Sequence, residues 1–191
     1  HIVTTNWIFG ERNIITTKPV KSVDDMKGLI LRTPNTTSYV TAFQLMGAAP
    51  TAMAIGDCYT ALQQGTIDGL ENTYSTLYGS AFYEVAKYVT TTHHVNMFCQ
   101  WIMSETLWES LTDEQRTILA ETGDEAGLFN LQTKSASEYQ QKLVDAGVTL
   151  IDLTDEQRAA FAEAVRPLYS DPTVTAQWRD GLYDMIKEMI K

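Results

Sequence analysis

The chain has 191 residues, 44% of them hydrophobic and 20% charged, which suits one domain or two small lobes and excludes a disordered segment. Fourteen basic against 24 acidic residues leave a net charge of −10. Such a surface repels nucleic-acid phosphates and anionic lipid, so neither is an expected partner.

Taken in order, residues 1–17 alternate and are rich in Ile, Val and Thr, which predicts one or two strands. Ser22 with Asp25 three residues later opens a short helix that Gly28 closes. Leu29 to Leu31 is a short apolar strand ending at Arg32, with Pro34 stopping it. Helices are predicted over Thr36–Met46 and Asp57–Gln64, each closed by glycine. Ile67–Gly69 is read as a short edge or crossover strand, turning into a helix over Thr73–Tyr88 with Asn72 near its N-cap. Val89–Ser104 is strand-like again.

The second half is helical. Thr112 with Gln115, and Thr154 with Gln157, are capping boxes. From the first box, helix formers run without proline to Ala146 before Gly147. That is about 34 residues, or about 50 Å at 1.5 Å per residue. A compact chain of this size has a radius of gyration of about 16 Å. The helix must therefore span two lobes, or bend at Gly123 and Gly127. Val148–Leu153 is a last strand, and helices follow over Glu156–Tyr169 and Val174–Ile190. The alternation predicts an α/β fold.

No run of about 18 apolar residues exists to span a membrane, and no signal peptide opens the chain. The start, inside a strand pattern and without Met, suggests that an earlier part of a longer protein is missing. A chain so cut is expected to expose apolar surface, and to pair with a copy or swap strands in a crystal. Cys58 and Cys99 form no CxxC; they read as two buried thiols or one disulfide.

Catalytic signatures are missing: there is no GxSxG, HExxH, Walker A or GxGxxG. His93-His94 would point to opposite faces of a strand, which disfavours a shared metal and favours strand-end hydrogen bonding. No cofactor or metal is expected. Arg32 is the informative cation. It ends a buried-looking strand, where open α/β sheets bind ligands, and its fork matches a carboxylate. A structural ion pair with a buried acid would fit the same position. Arg12, after Gly10 in an otherwise apolar strand region, reads first as an exposed strand charge. Asn72 reads as a helix cap or as an amide aimed into a cleft.

Several stretches resemble the solute-binding proteins of TRAP transporters. They are KPVKSVDDMKGLILRTPN at 18–35, MGAAP at 46–50, DCYTALQQGTIDGLEN at 57–72, AFYEVAKY at 81–88 with Thr92 and His93, and WESL at 108–111 with the long helix. The match keeps order and spacing from about residue 10 to residue 170 and is similar to the later two-thirds of a family member. It implies a two-lobed periplasmic-binding fold with strands crossing between lobes and a long lobe-spanning helix. The expected division is 1–17 as hinge strands, 18–94 as the second lobe, 95–130 as the return to the first lobe, and 131–191 as the end of the long helix with the C-terminal helices. It implies no chemistry, but capture of a small organic acid in the periplasm and delivery to membrane permease subunits driven by an ion gradient. A ligand-sensing receptor, or an enzyme acting on organic acids, are the other readings. Carried over residue by residue, Arg32 would hold the carboxylate, Arg12 would add a second contact, and Asn72 would supply an amide beside Glu71 and Asn35. Thr73 stands where many members carry proline.

Overall fold

A computed structural model describes residues 1–133, 136–176 and 178–189. Among the described residues six strands form one mixed sheet: β1 (Ile2–Thr16), β2 (Ile30–Thr33), β3 (Ala49–Ala52), β4 (Gly69–Thr73), β5 (Tyr88–Ile102) and β6 (Thr149–Ile151). Their spatial order is β3-β2-β4-β1-β5-β6. β2 runs parallel to β3 and β4, β1 runs antiparallel to β4 and β5, and β6 runs parallel to β5.

Ile14 and Ile15, adjacent in β1, point to opposite faces and seed two cores. On one face Ile15, Leu62, Ile67, Leu70, Val89 and Leu143 pack with α2 (Cys58–Gln63) and α3 (Tyr74–Gly79). On the other, Ile14, Met26, Leu31, Phe43, Leu153 and Phe161 pack beneath α1 (Thr37–Leu45). Each such side chain contributes about 1.5–3 kcal/mol by leaving water. The predicted helix starts are present. The short 3-10 turn Val23–Met26 has its Ser22–Asp25 box. Thr112 and Gln115 cap each other, with Gln115 N donating to Thr112 Oγ1 at 3.2 Å.

Several expectations are corrected. β3 has no apolar alternation and contains Pro50; it is tolerated because it is the sheet's edge strand, where a missing N–H costs nothing. β4 is no edge or crossover strand at Ile67–Gly69. It runs over Gly69–Thr73 at the sheet's centre with every residue buried. Its Glu-Asn-Thr run hides it from any hydrophobic pattern. Gly69 is needed there because a Cβ would strike the β1 backbone and lie 2.7 Å from Thr16 Cγ2. The helix foreseen over Thr73–Tyr88 is only α3, followed by Ala81 at φ 56 and a 3-10 turn at Phe82–Glu84. Cys58 is buried, but Cys99 is exposed on the outer part of β5, and both are free thiols.

Next come α4 (Glu105–Ser110), α5 (Asp113–Thr133) and α6 (Ala136–Asp145). The join of α5 and α6, on which the continuous long helix depends, falls outside the described residues. α7 (Asp155–Val165) gives way to a 3-10 turn at Arg166–Ser170, where Pro167 sits in the first turn. The last predicted helix is instead two, α8 (Pro172–Thr175) and α9 (Leu182–Met189), with Gly181 at φ 73 ahead of α9. Among the described residues no helix is long and apolar enough to cross a membrane.

Candidate functional site

The sheet places the predicted residues at the carboxyl ends of the parallel pair β2 and β4. Arg32 stands opposite Leu70, so Asn72 lies two residues further along on the same face as Arg32. The Arg32 side chain is buried, and its Nε donates to the Met53 carbonyl at 2.9 Å. Among the described residues it forms no ion pair with a carboxylate, which removes the structural-pair reading within that set. Its positive charge is felt by the neighbouring Cys58 thiol, whose pKa burial nevertheless pushes up. Asn72 is no helix cap. It sits within β4, and its Oδ1 accepts from Thr73 N at 2.9 Å. Asn35 lies exposed in the bend between β2 and α1.

Glu71 points to the opposite face, as alternation requires, and meets Arg12 across the β1–β4 ladder. Arg12 is not the exposed strand charge considered above. It is buried, and its Nε and Nη2 grip the two Glu71 carboxylate oxygens, the Nη2–Oε1 bond being 2.6 Å. Nη2 also donates to the Glu71 carbonyl at 3.2 Å, Nη1 lies 3.3 Å from Met97 Sδ, and the guanidinium rests 5.4 Å from the Tyr39 ring centroid. Glu71, only 1% exposed, has a third neighbour: His94 Nε2 at 3.3 Å from Oε2. Burial pushes the Glu71 carboxyl up, but hydrogen bonds from His94 and Arg12, with their charges, outweigh it and hold it below its ordinary value. His94 Nδ1 lies 2.7 Å from Thr92 Oγ1, and Phe43 meets the imidazole edge-on at 5.5 Å.

His94 is the residue that sequence reasoning missed. The histidine pair lies in the middle of β5, not at a strand end, and its local pattern carries no mark of Glu71, 23 residues earlier. His93 Nδ1 lies instead 3.3 Å from Glu11 Oε2. A hollow of about 230 Å³ opens at the start of α3, lined by Gly10, Glu11, Thr73, Tyr74, Ser75 and Tyr139 among others. Burial there pushes the Tyr74 phenol up to about 12. No group of three metal-ligating side chains occurs among the described residues.

The arrangement offers a buried guanidinium whose Nη groups have no partner among the described residues, an amide on its own face, and an Arg–Glu–His set behind it. It is suited to holding an anion.

The model of the bacterial extracellular solute-binding proteins, family 7, matches residues 1–174. The sialic acid-binding periplasmic protein SiaP of Vibrio cholerae is 34% identical over 169 residues, 86% of this chain and 51% of that protein. The 2,3-diketo-L-gulonate-binding periplasmic protein YiaO of Escherichia coli is 34% identical over 168 residues, covering 85% and 50%. A TRAP periplasmic solute-binding protein of Fusobacterium, solved with sn-glycerol-3-phosphate, superposes with a TM-score of 0.88 at 43% identity, covering 98% of this chain and 59% of that one. One from Ochrobacterium anthropi with bound L-fuconate gives 0.89 at 36% identity, covering 100% and 62%. The chain thus spans about half the length of the curated relatives it matches.

Proposed function

Because the chain belongs to the bacterial extracellular solute-binding proteins of family 7 and has the α/β fold of the two-lobed TRAP binding proteins, we propose that it captures a small organic acid and delivers it to a TRAP permease. Relatives carry the word periplasmic in their names, and the same compartment is proposed here. The reading needs binding and release, with no bond made or broken. Closure of one lobe on another would trap the ligand. β1 and β5 would serve as the crossing strands, residues 18–94 as one lobe, and α5 with the outer strand halves as part of the passage to the other.

One observation carries the reading. Arg32 is buried at the carboxyl end of β2 with a backbone carbonyl on Nε and no carboxylate partner among the described residues. A buried cation without a counter-ion is costly, and a ligand carboxylate would offset that cost by two parallel N–H···O bonds. The Asn72 amide would take a second polar group of the same ligand. Arg12 would add a further contact, with Glu71 holding it and Asn35 at the rim. Names and bound ligands among the relatives span sialic acid, a diketo sugar acid, L-fuconate and a glycerol phosphate. A small organic acid is therefore the proposed ligand class, polyhydroxylated acids being the first to test.

The test is calorimetry with L-fuconate and sn-glycerol-3-phosphate on the full-length natural chain, its Arg32→Lys and its Arg32→Ala variants. Lysine keeps the charge and loses the fork, so affinity should fall roughly 10- to 150-fold. Alanine should cost more, with the melting temperature near wild type. A large loss of stability at unchanged affinity would overturn the ligand role.

A further inference from the structure

The β1–β5 ladder contains an irregularity at the level of the Arg12–Glu71 pair. Ile14 stands opposite Thr90, but Arg12 stands opposite Val95. Thr91, Thr92, His93 and His94 therefore all face the single residue Asn13. A regular antiparallel ladder would place one residue there. The extra length lets β5 bend, and the bend brings His94 onto Glu71.

Bulges leave backbone groups without ladder partners, and those groups must be satisfied when buried. Here two side chains from other elements do so. Asn13, fully buried, accepts from His93 N through Oδ1 at 3.1 Å. Arg158, in the first turn of α7, donates from Nη1 to the Thr91 carbonyl and from Nη2 to the Leu153 carbonyl at 3.3 Å. Thr91 Oγ1 in turn accepts from Leu153 N at 3.4 Å. At the crest His93 takes φ 46, a left-handed conformation uncommon for a side chain with a Cβ. A cavity of about 370 Å³ lies over the crest, lined by Thr92, His93, His94 and Arg158 among others, so no tight packing forces the bend from that side.

We propose that Asn13 and Arg158 are positioning residues for ligand binding: they pin the Thr91–His94 bulge, which holds His94 on Glu71 and so fixes the Arg12 guanidinium. Neither touches the ligand in this scheme. The inference rests on the ligand contact of Arg12 proposed above, and it assigns a task to a buried amide and a helix arginine that the binding reading leaves unexplained.

The experiment uses the full-length natural chain with Asn13→Leu, Arg158→Met, Arg158→Lys and His93→Gly. Two quantities are read: affinity for L-fuconate and sn-glycerol-3-phosphate, and the His94 imidazole resonances, which the edge-on Phe43 ring shifts. Asn13→Leu and Arg158→Met should each move those resonances and weaken binding about 2- to 30-fold, the usual range for residues acting through others. Arg158→Lys, which keeps a donor, should recover part of both. His93→Gly should retain both, because glycine accepts the positive φ without strain. If Asn13→Leu fails to fold, Arg158→Met alone decides. Unchanged affinity in Arg158→Met overturns the proposal, whether or not the resonances move or the melting temperature falls. If wild type binds neither probe while the resonances still shift in both variants, the ligand class is wrong and the positioning of His94 stands.

Discussion

β1 and β5 pair from end to end apart from the bulge and smaller shifts of register, yet the two halves of that ladder live in different surroundings. In the inner half, Ile14–Thr16 against Tyr88–Thr90, nearly every residue is buried between the two cores. In the outer half, Ile2–Ile8 against Phe98–Ile102, one face takes α5, and Ile2, Phe98 and Ile102 are exposed. The same strands are thus core in one place and half-covered in the other. The Arg–Glu–His set and the bulge lie at the boundary between these halves. The comparison teaches that these polar groups are buried where the fully buried half ends, where neighbours on β1, β4, β5 and α7 supply their partners.

The comparison breaks most readily at Glu71. Glu71→Ala leaves the Arg12 guanidinium buried without its partner, so stability should fall by about 3–5 kcal/mol, read as a large drop in melting temperature. A loss within experimental error would mean that the boundary is not held by this pair. The pH dependence follows with its sign. The folded carboxyl titrates below its ordinary value, so its contribution is fully present above the ordinary carboxylate range and disappears as pH falls through the depressed value. Glu71→Gln should remove that part of the acid slope, and an unaltered slope in an acid-unfolding series would refute the assignment.

Gly123 sharpens the contrast. A Cβ on this α5 residue would come within 2.6 Å of Thr4 Cγ2 and 2.7 Å of Trp101 Cε3. Gly123→Ala should therefore cost about 1–3 kcal/mol by overpacking. The damage should be local, raising hydrogen exchange in α5 and the outer strand halves while Ile14–Thr16 stays protected. Equal loss of protection in both halves would show one cooperative unit.

The smallest effect is expected on the outer face of α5. Phe129 is 66% exposed, so Phe129→Ser in this 191-residue chain should change stability by no more than about 0.5 kcal/mol. A larger loss by denaturant unfolding would reveal a contact that the described residues do not make.

Much of the frame was legible in sequence because its signals are local. Ser22, Thr112 and Thr154 mark helix starts through a hydroxyl and an acceptor three residues later, which needs no tertiary information. The Leu29–Leu31 run, stopped by Pro34, located β2 and with it Arg32. β4 was not legible: a Gly-Leu-Glu-Asn-Thr strand can stand at the sheet's centre because its buried Glu71 is ion-paired with Arg12 and has His94 within hydrogen-bond reach. Nor was β3, which exists because β2 offers it an edge.

What the sequence determined by itself, then, was the α/β class, the capped helices, the family resemblance and the arginine at the end of β2. The caps, the strand and its arginine depend on residues within a turn or a strand of one another, and the resemblance on the order and spacing of such local stretches. Only the tertiary structure decided that Arg12 is buried on Glu71, that His94 completes the set, and that Asn13 and Arg158 hold the bulge that puts it there. Those decisions join residues 23 to 80 positions apart, by charges and hydrogen bonds whose strength comes from burial. Burial is set by the packing of the whole sheet, and no local pattern records it.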